Sequence, residues 1–170
     1  MNFEVYDLET LCNLFTYTGY DCVNKTWHQF VVCSWRNDFD ELCQWLEYQI
    51  TNRYYQVGFN CENFDYPIIH HILNHKESYK YKSGQEVAQL IYQKAQEIIN
   101  NEFNTIADKN KYIRQIDLFL IWHYNNKARR TSLKDLEVCM HMENVEEMPI
   151  DHTTWCKKGD EVTVLSYNTT

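Results

Sequence analysis

An α/β fold, with a mixed sheet that opens on a three-strand antiparallel meander and carries flanking helices, is predicted by three observations. Runs rich in β-branched and aromatic residues fill the first 35 positions. Capping signatures precede runs with helical spacing further along the chain. Short apolar strands at residues 54–59 and 113–122 interrupt those helices, an order that describes helices packed on a mixed sheet.

The meander comprises residues 3–8, 13–20 and 26–35, with residues 9–12 and the polar turn 21–25 between them. Asn37-Asp38-Phe39-Asp40-Glu41 then reads as a helix start, with Asp38 as cap and Glu41 three residues on, before Leu42, Trp45, Leu46 and Ile50 at helical spacing. After the strand at 54–59, which Asn60 bounds, residues 64–74 read as a helix with Pro67 in its first turn. Ser83-Gly-Gln-Glu86 matches a capping box ahead of Val87, Leu90, Ile91, Ala95 and Ile98, which predicts an amphipathic helix. Residues 113–122 follow as a strand, Ser132-Leu-Lys-Asp135 caps a helix running to about Met140, and a last helix begins near Glu161.

At 170 residues the chain suits one domain, residues 1–170, long enough to bury a real core. Its net charge of −8 argues against a general phosphate-neutralising surface, because counterion release needs clustered Lys and Arg. Carboxylates that hold divalent cations remain compatible with that charge. Aromatic residues make up 15% of the chain, enough to supply stacking surfaces for bases as well as core packing. Seven cysteines are scattered, odd in number and never spaced C-x-x-C, which indicates neither a zinc site nor a disulfide framework and suits a reducing cytoplasm. The N-terminus lacks a basic segment followed by an apolar run, and no stretch approaches the roughly 20 apolar residues of a membrane span. A soluble, unsecreted protein without membrane partners is expected.

Two acidic clusters could carry chemistry. Asp7-Leu8-Glu9-Thr10 closes the first strand, where alternation points both carboxylates to one side. The tripeptide is weak evidence alone, since a chain with 24 acidic residues contains about one by chance. Asp135-Leu-Glu137 repeats it, yet Asp135 stands third after Ser132 and is accounted for as a capping-box acid. In the second cluster, Gly58-Phe-Asn60-Cys-Glu-Asn-Phe64-Asp65-Tyr-Pro67-Ile-Ile69, a strand ends in a polar loop and a helix begins with an acid. Asp65 there suits a helix dipole, and Asn60 suits a turn. A third carboxylate would also be delivered beside the first if the two strands run parallel as neighbours.

Together these motifs resemble those of the 3′→5′ proofreading exonuclease domain of family B DNA polymerases of phage or viral type, in the DEDD superfamily. Phe3 to Thr10 is similar to the first exonuclease motif, and Gly58 to Ile69 to the second, in order and in spacing. Ile116-Asp117-Leu118 and Ser132-Leu133-Lys134-Asp135-Leu136 resemble the strand and helix that follow in those polymerases. Tyr167-Asn-Thr-Thr170 fits the first four positions of the third motif of the tyrosine subtype, Y-x-x-x-D. The family pattern would place the fourth acid one residue further, so the resemblance implies a domain truncated at that motif.

The resemblance implies a ribonuclease-H-like fold and a two-metal hydrolysis of DNA 3′ ends. Asp7, Glu9 and Asp65, with the missing acid, would hold two Mg2+ or Mn2+ ions about 3.5–4 Å apart. Tyr167 would orient the attacking water, while Thr10, Asn60 and Phe64 would hold a single-stranded or frayed DNA 3′ end. A downstream polymerase domain is the implied covalent partner, and a bacterial or virus-infected cytoplasm the implied setting. Two alternatives stand beside this: a catalytically impaired module binding single strands or a protein, and an RNA 3′→5′ exonuclease of the same superfamily.

Other polar residues read as structural. Asp117 is either an outer group of the metal site or a cap for the loop that follows. Adjacent His70 and His71 diverge by about 100° on a helix and complete no closed zinc pattern. Arg129-Arg130 and Lys157-Lys158 are the adjacent basic pairs, better read as solvated charge than as DNA contacts.

Overall fold

The computed structural model describes residues 1–101, 103–125, 131–142, 145 and 147–169. Its sheet contains β1 (Asn2–Leu11), β2 (Leu14–Asp21), β3 (Thr26–Cys33), β4 (Tyr54–Gly58) and β5 (Arg114–Asp117), in the spatial order β3-β2-β1-β4-β5. β1 pairs antiparallel with β2, and β2 with β3. β1 and β4, then β4 and β5, pair in parallel. The sheet is therefore mixed, and its helices are α1 (Phe39–Thr51), α2 (Asp65–Tyr79), α3 (Gly84–Asn100), α4 (Leu118–Trp122), α5 (Leu133–Cys139) and α6 (Asp160–Tyr167). β1 runs three residues beyond the expected strand, so Glu9 and Thr10 lie within the ladder and only Cys12 and Asn13 make the turn.

Side-chain alternation divides the sheet into two unlike faces. On one, Tyr6, Leu8, Phe15, Tyr17 and Val32 pack with Leu42 and Leu46 of α1, Ile68, Ile69 and Ile72 of α2, and Val87, Ile91 and Ile98 of α3. Each of these aliphatic side chains contributes about 1.5–3 kcal/mol by leaving water. On the other face, Leu11, Leu14, Val31 and Cys33 meet Cys156, Val164 and Leu165. The Asn13 side chain clamps that contact, accepting from the Cys156 amide at 2.8 Å and donating to its carbonyl at 2.9 Å.

Two of the three capping signatures form as expected. Ser83 and Glu86 make the reciprocal box at α3, and Ser132 and Asp135 make it at α5. At α1 the Asp38 side chain caps nothing, because its carboxylate instead accepts from the Val31 amide at 3.0 Å and Arg36 Nε at 2.6 Å. The strand expected at 113–122 is half helix. Pairing with β4 stops at Asp117, whose carboxylate accepts the Phe119 amide at 2.9 Å and starts α4. Among the described residues no helix is long and apolar enough to cross a membrane.

Candidate active site

Asp7 and Glu9 project from one face of β1, and the cross-strand register sets their surroundings. Val5, Tyr20 and Trp27 form one row across β1, β2 and β3, Asp7, Thr18 and Gln29 the next, and Glu9, Thr16 and Val31 the third. Beyond Glu9 the face closes against α6 and the chain before it, whereas at Asp7 it opens. A cleft of about 540 Å³ lies there, walled by Trp27, Phe59 and Leu118 and reached by Asp7, Leu133, Lys134, Glu137, Tyr167 and Asn168. Phe59 and Leu133 also line a neighbouring groove of about 480 Å³ that contains Asn60, Asn63, Phe119 and Ser132.

Asp65 comes from the other side of the parallel β1–β4 pair. β4 ends at Gly58, and Asn60 takes a left-handed backbone angle, φ 57°, which Asn tolerates better than most residues. Asp117 ties this turn down by accepting the amides of Asn60 at 2.8 Å and Glu62 at 3.0 Å, in addition to that of Phe119. Lys111 grips Glu62 at 2.5 Å, and the Tyr66 hydroxyl accepts the Tyr112 amide at 2.7 Å. The start of α2 is thus fastened on both sides, and Asp65 is buried as its first residue.

The three acids feel one another. Loss of hydration is the largest effect on each: it raises Asp7 to about 6 even though that side chain reaches solvent through the cleft. Desolvation, followed by the charge of Asp7, pushes Glu9 up to about 8. Asp65 is raised well above the carboxylate range, first by burial and then by the charges of Asp7, Glu9 and Asp117. A position at a helix N-terminus would ordinarily lower Asp65. Burial and repulsion outweigh that here.

Among the described residues no Lys or Arg forms an ion pair with Asp7, Glu9 or Asp65. Thr16 and Thr18, which share rows with Glu9 and Asp7, are buried with hydroxyls that have no hydrogen-bond partner. The same is true of both amide atoms of Asn168. Hard oxygen donors, carboxyl groups with no cationic partner and orphaned hydroxyls fit a hydrated Mg2+ or Mn2+ ion. The acids do not form a closed cage, since no group of three His, Cys, Asp or Glu side chains among the described residues is gathered closely enough to enclose a metal.

The other expected site residues are distributed unevenly. Tyr167 lines the same cleft as Asp7. Asn60 lines the neighbouring groove, its side chain accepting from Asn63 at 3.1 Å. Phe64 is half-buried against the helix-side core. Thr10 is buried opposite Phe15, on the face away from Asp7 and Glu9, so its side chain does not join them. Arg129-Arg130 and Thr170 lie outside the described residues. Lys157 and Lys158 are exposed.

Sequence reasoning missed Trp27, Lys134 and Glu137 as cleft residues. Glu137 stands one helical turn from Leu133, but only the structure puts that helix face in the cleft. Asp135 is the capping acid expected of it. A scan against known protein families finds no matching model, and a search of curated proteins finds no match.

Proposed function

We propose that this chain is a metal-dependent 3′→5′ exonuclease domain that hydrolyses phosphodiester bonds at single-stranded or frayed DNA 3′ ends. The reading rests on one observation: Asp7 and Glu9 from β1 and Asp65 from α2 are brought into electrostatic contact at the end of a parallel strand pair, and Asp7 shares its cleft with Tyr167. In this reading the fold is ribonuclease-H-like with its antiparallel meander, and the domain serves proofreading beside a family B polymerase in a bacterial or virus-infected cytoplasm.

Asp7, Glu9 and Asp65 would hold Mg2+ or Mn2+. Bound there, the ions supply an activated water and charge neutralisation at the leaving 3′ oxygen. The protein's own contribution is positional. Among the described residues no Lys or Arg pairs with the three acids, which leaves their oxygens to a phosphate-bound cation. The Tyr167 hydroxyl would orient the water from the cleft wall, and the ring of Trp27 with Leu118 and Leu133 offers apolar surface to unstacked bases. Asn60 would meet the strand along the adjoining groove, whose lining includes neither Phe64 nor Thr10.

The test is a 5′-labelled single strand incubated with the protein and Mg2+. A ladder shortened one nucleotide at a time from the 3′ end, absent in EDTA and absent in Asp7→Ala, is expected. Equal degradation by Asp7→Ala would overturn the assignment, and faster loss of a matched RNA would reassign the substrate.

A further inference from the structure

In the groove that adjoins the cleft, much of the polar lining is already committed. Ser132 is spent on its capping box, its hydroxyl donating to Asp135 at 2.8 Å and its amide at 3.2 Å. The Thr131 amide donates to Nε2 of His123 at 3.0 Å. The Asn60 side chain differs, because the atom it offers is decided by two residues behind it.

Nδ2 of Asn63 donates to Oδ1 of Asn60 at 3.1 Å, and Oδ1 of Asn63 accepts from the Thr105 hydroxyl at 3.0 Å. The donors run in one sense, from Thr105 through Asn63 to Asn60. Nδ2 of Asn60 ends this relay and meets no acceptor among the described residues. An amide carries its acceptor on one arm and its donors on the other. Engaging Oδ1 leaves the N–H arm for a ligand, and Asn N–H groups are among those that bond phosphate and sugar oxygens of a nucleic acid. Successive bonds polarise one another, so each donor strengthens the next.

Both ends of the relay are held by the fold. Asn60, at φ 57°, donates its backbone amide to Asp117 at 2.8 Å and accepts the Asn63 amide at 3.2 Å, which keeps the two side chains on one turn. Thr105 lies in the segment after α3. Its neighbour Asn104 donates to the carbonyls of Ile98 at 2.8 Å and Asn101 at 3.0 Å, and Ile106 packs against the helix-side core. Thr105 itself is exposed.

We propose that Asn63 and Thr105 are positioning residues for the strand: they hold the Asn60 amide with its N–H arm toward an oxygen of DNA lying in the groove. The inference rests on the exonuclease reading and on Asn60 meeting the strand. Neither side chain bonds an acid of the cation site, so their part is in affinity and not in the metal step.

Fluorescence anisotropy with a short labelled oligothymidylate in Ca2+, together with degradation kinetics in Mg2+, tests it. Asn63→Leu should weaken binding about tenfold and Thr105→Val about threefold. KM should rise by the same factors, with kcat and Mn2+ affinity at wild-type values, because the contact is made equally before and during the reaction. Thr105→Ser keeps the hydroxyl and should match wild type, as should Thr51→Val at an exposed hydroxyl on α1. Wild-type affinity in Asn63→Leu or in Thr105→Val, or weakened binding in Thr105→Ser, overturns the proposal while the exonuclease reading stands. A fall in kcat or Mn2+ affinity also overturns it, since the loop carrying Asp65 would then have shifted. A wild-type protein that neither binds nor shortens the strand overturns the exonuclease reading and this inference with it.

Discussion

β1 places carboxylates on both faces of the sheet, and the protein treats them oppositely. Glu4, on the helix side, is fully buried and receives Trp45 Nε1 at 2.9 Å, the Tyr17 hydroxyl and the Gln49 amide. Gly19 leaves room for it, since a Cβ there would run into the Glu4 carboxylate. Asp7 and Glu9, on the cleft side, have no cationic partner among the described residues and lie beside hydroxyls that lack partners of their own. Burial raises acids on both faces, Glu4 to about 7 and Glu9 to about 8, yet only Glu4 has side-chain hydrogen bonds opposing that rise. A buried acid surrounded by donors holds the fold together. Acids surrounded by one another are the ones available to a ligand.

Exchanging these roles gives the largest effects. Glu4→Ala leaves three donors unsatisfied in the core and should lose about 3 kcal/mol or more of stability by urea unfolding. Asp7→Ala should leave stability unchanged or raise it, while lowering nuclease turnover about a hundredfold or more. Similar unfolding midpoints for the two variants would break the contrast. Gly19→Ala should cost about 2 kcal/mol by overpacking Glu4, and a neutral result would mean the carboxylate has space to move. Tyr167→Phe should lower turnover roughly tenfold with Mn2+ affinity unchanged; a loss confined to metal affinity would assign the tyrosine a different role.

The smallest effect sharpens the electrostatic half of the comparison. Glu4, Asp7, Glu9 and Asp65 all hold their protons more tightly in the folded protein than in the unfolded chain. Over roughly pH 4 to 8 the folded state therefore binds more protons, and the stability these groups contribute is present below that window and lost as pH rises through it. The decline between pH 6 and 8, followed by thermal melts in EDTA, should flatten in Glu9→Gln and on adding Mg2+. An unchanged slope in both would remove repulsion among the acids from the account.

The readable parts of the fold were those with a local cause. Ser83 with Glu86 and Ser132 with Asp135 satisfy helix-end amides within three residues, and both formed. Asp38 carried the same signal but was recruited by a strand amide and Arg36, a tertiary competition invisible in the local sequence. The apolar run Leu118–Trp122 has no period that separates strand from helix, and Asp117, capping at the end of a strand, decided it. At the site, alternation along β1 was enough to put Asp7 and Glu9 on one face. Their nearness to Asp65 needed the parallel register of β1 with β4, and the outward turn of Trp27 into the cleft needed the antiparallel register of β2 with β3. Thr10 shows the limit of a motif, because adjacency to Glu9 in sequence puts it on the opposite face.

The central claim is that acids from β1 and α2 act as one divalent-cation site, and Mn2+ titration of the metal-free protein tests it most directly. Binding should weaken about tenfold or more in Asp7→Asn and in Asp65→Asn alike, and remain at the wild-type level in Glu4→Gln. Wild-type Mn2+ affinity in Asp65→Asn would contradict the account.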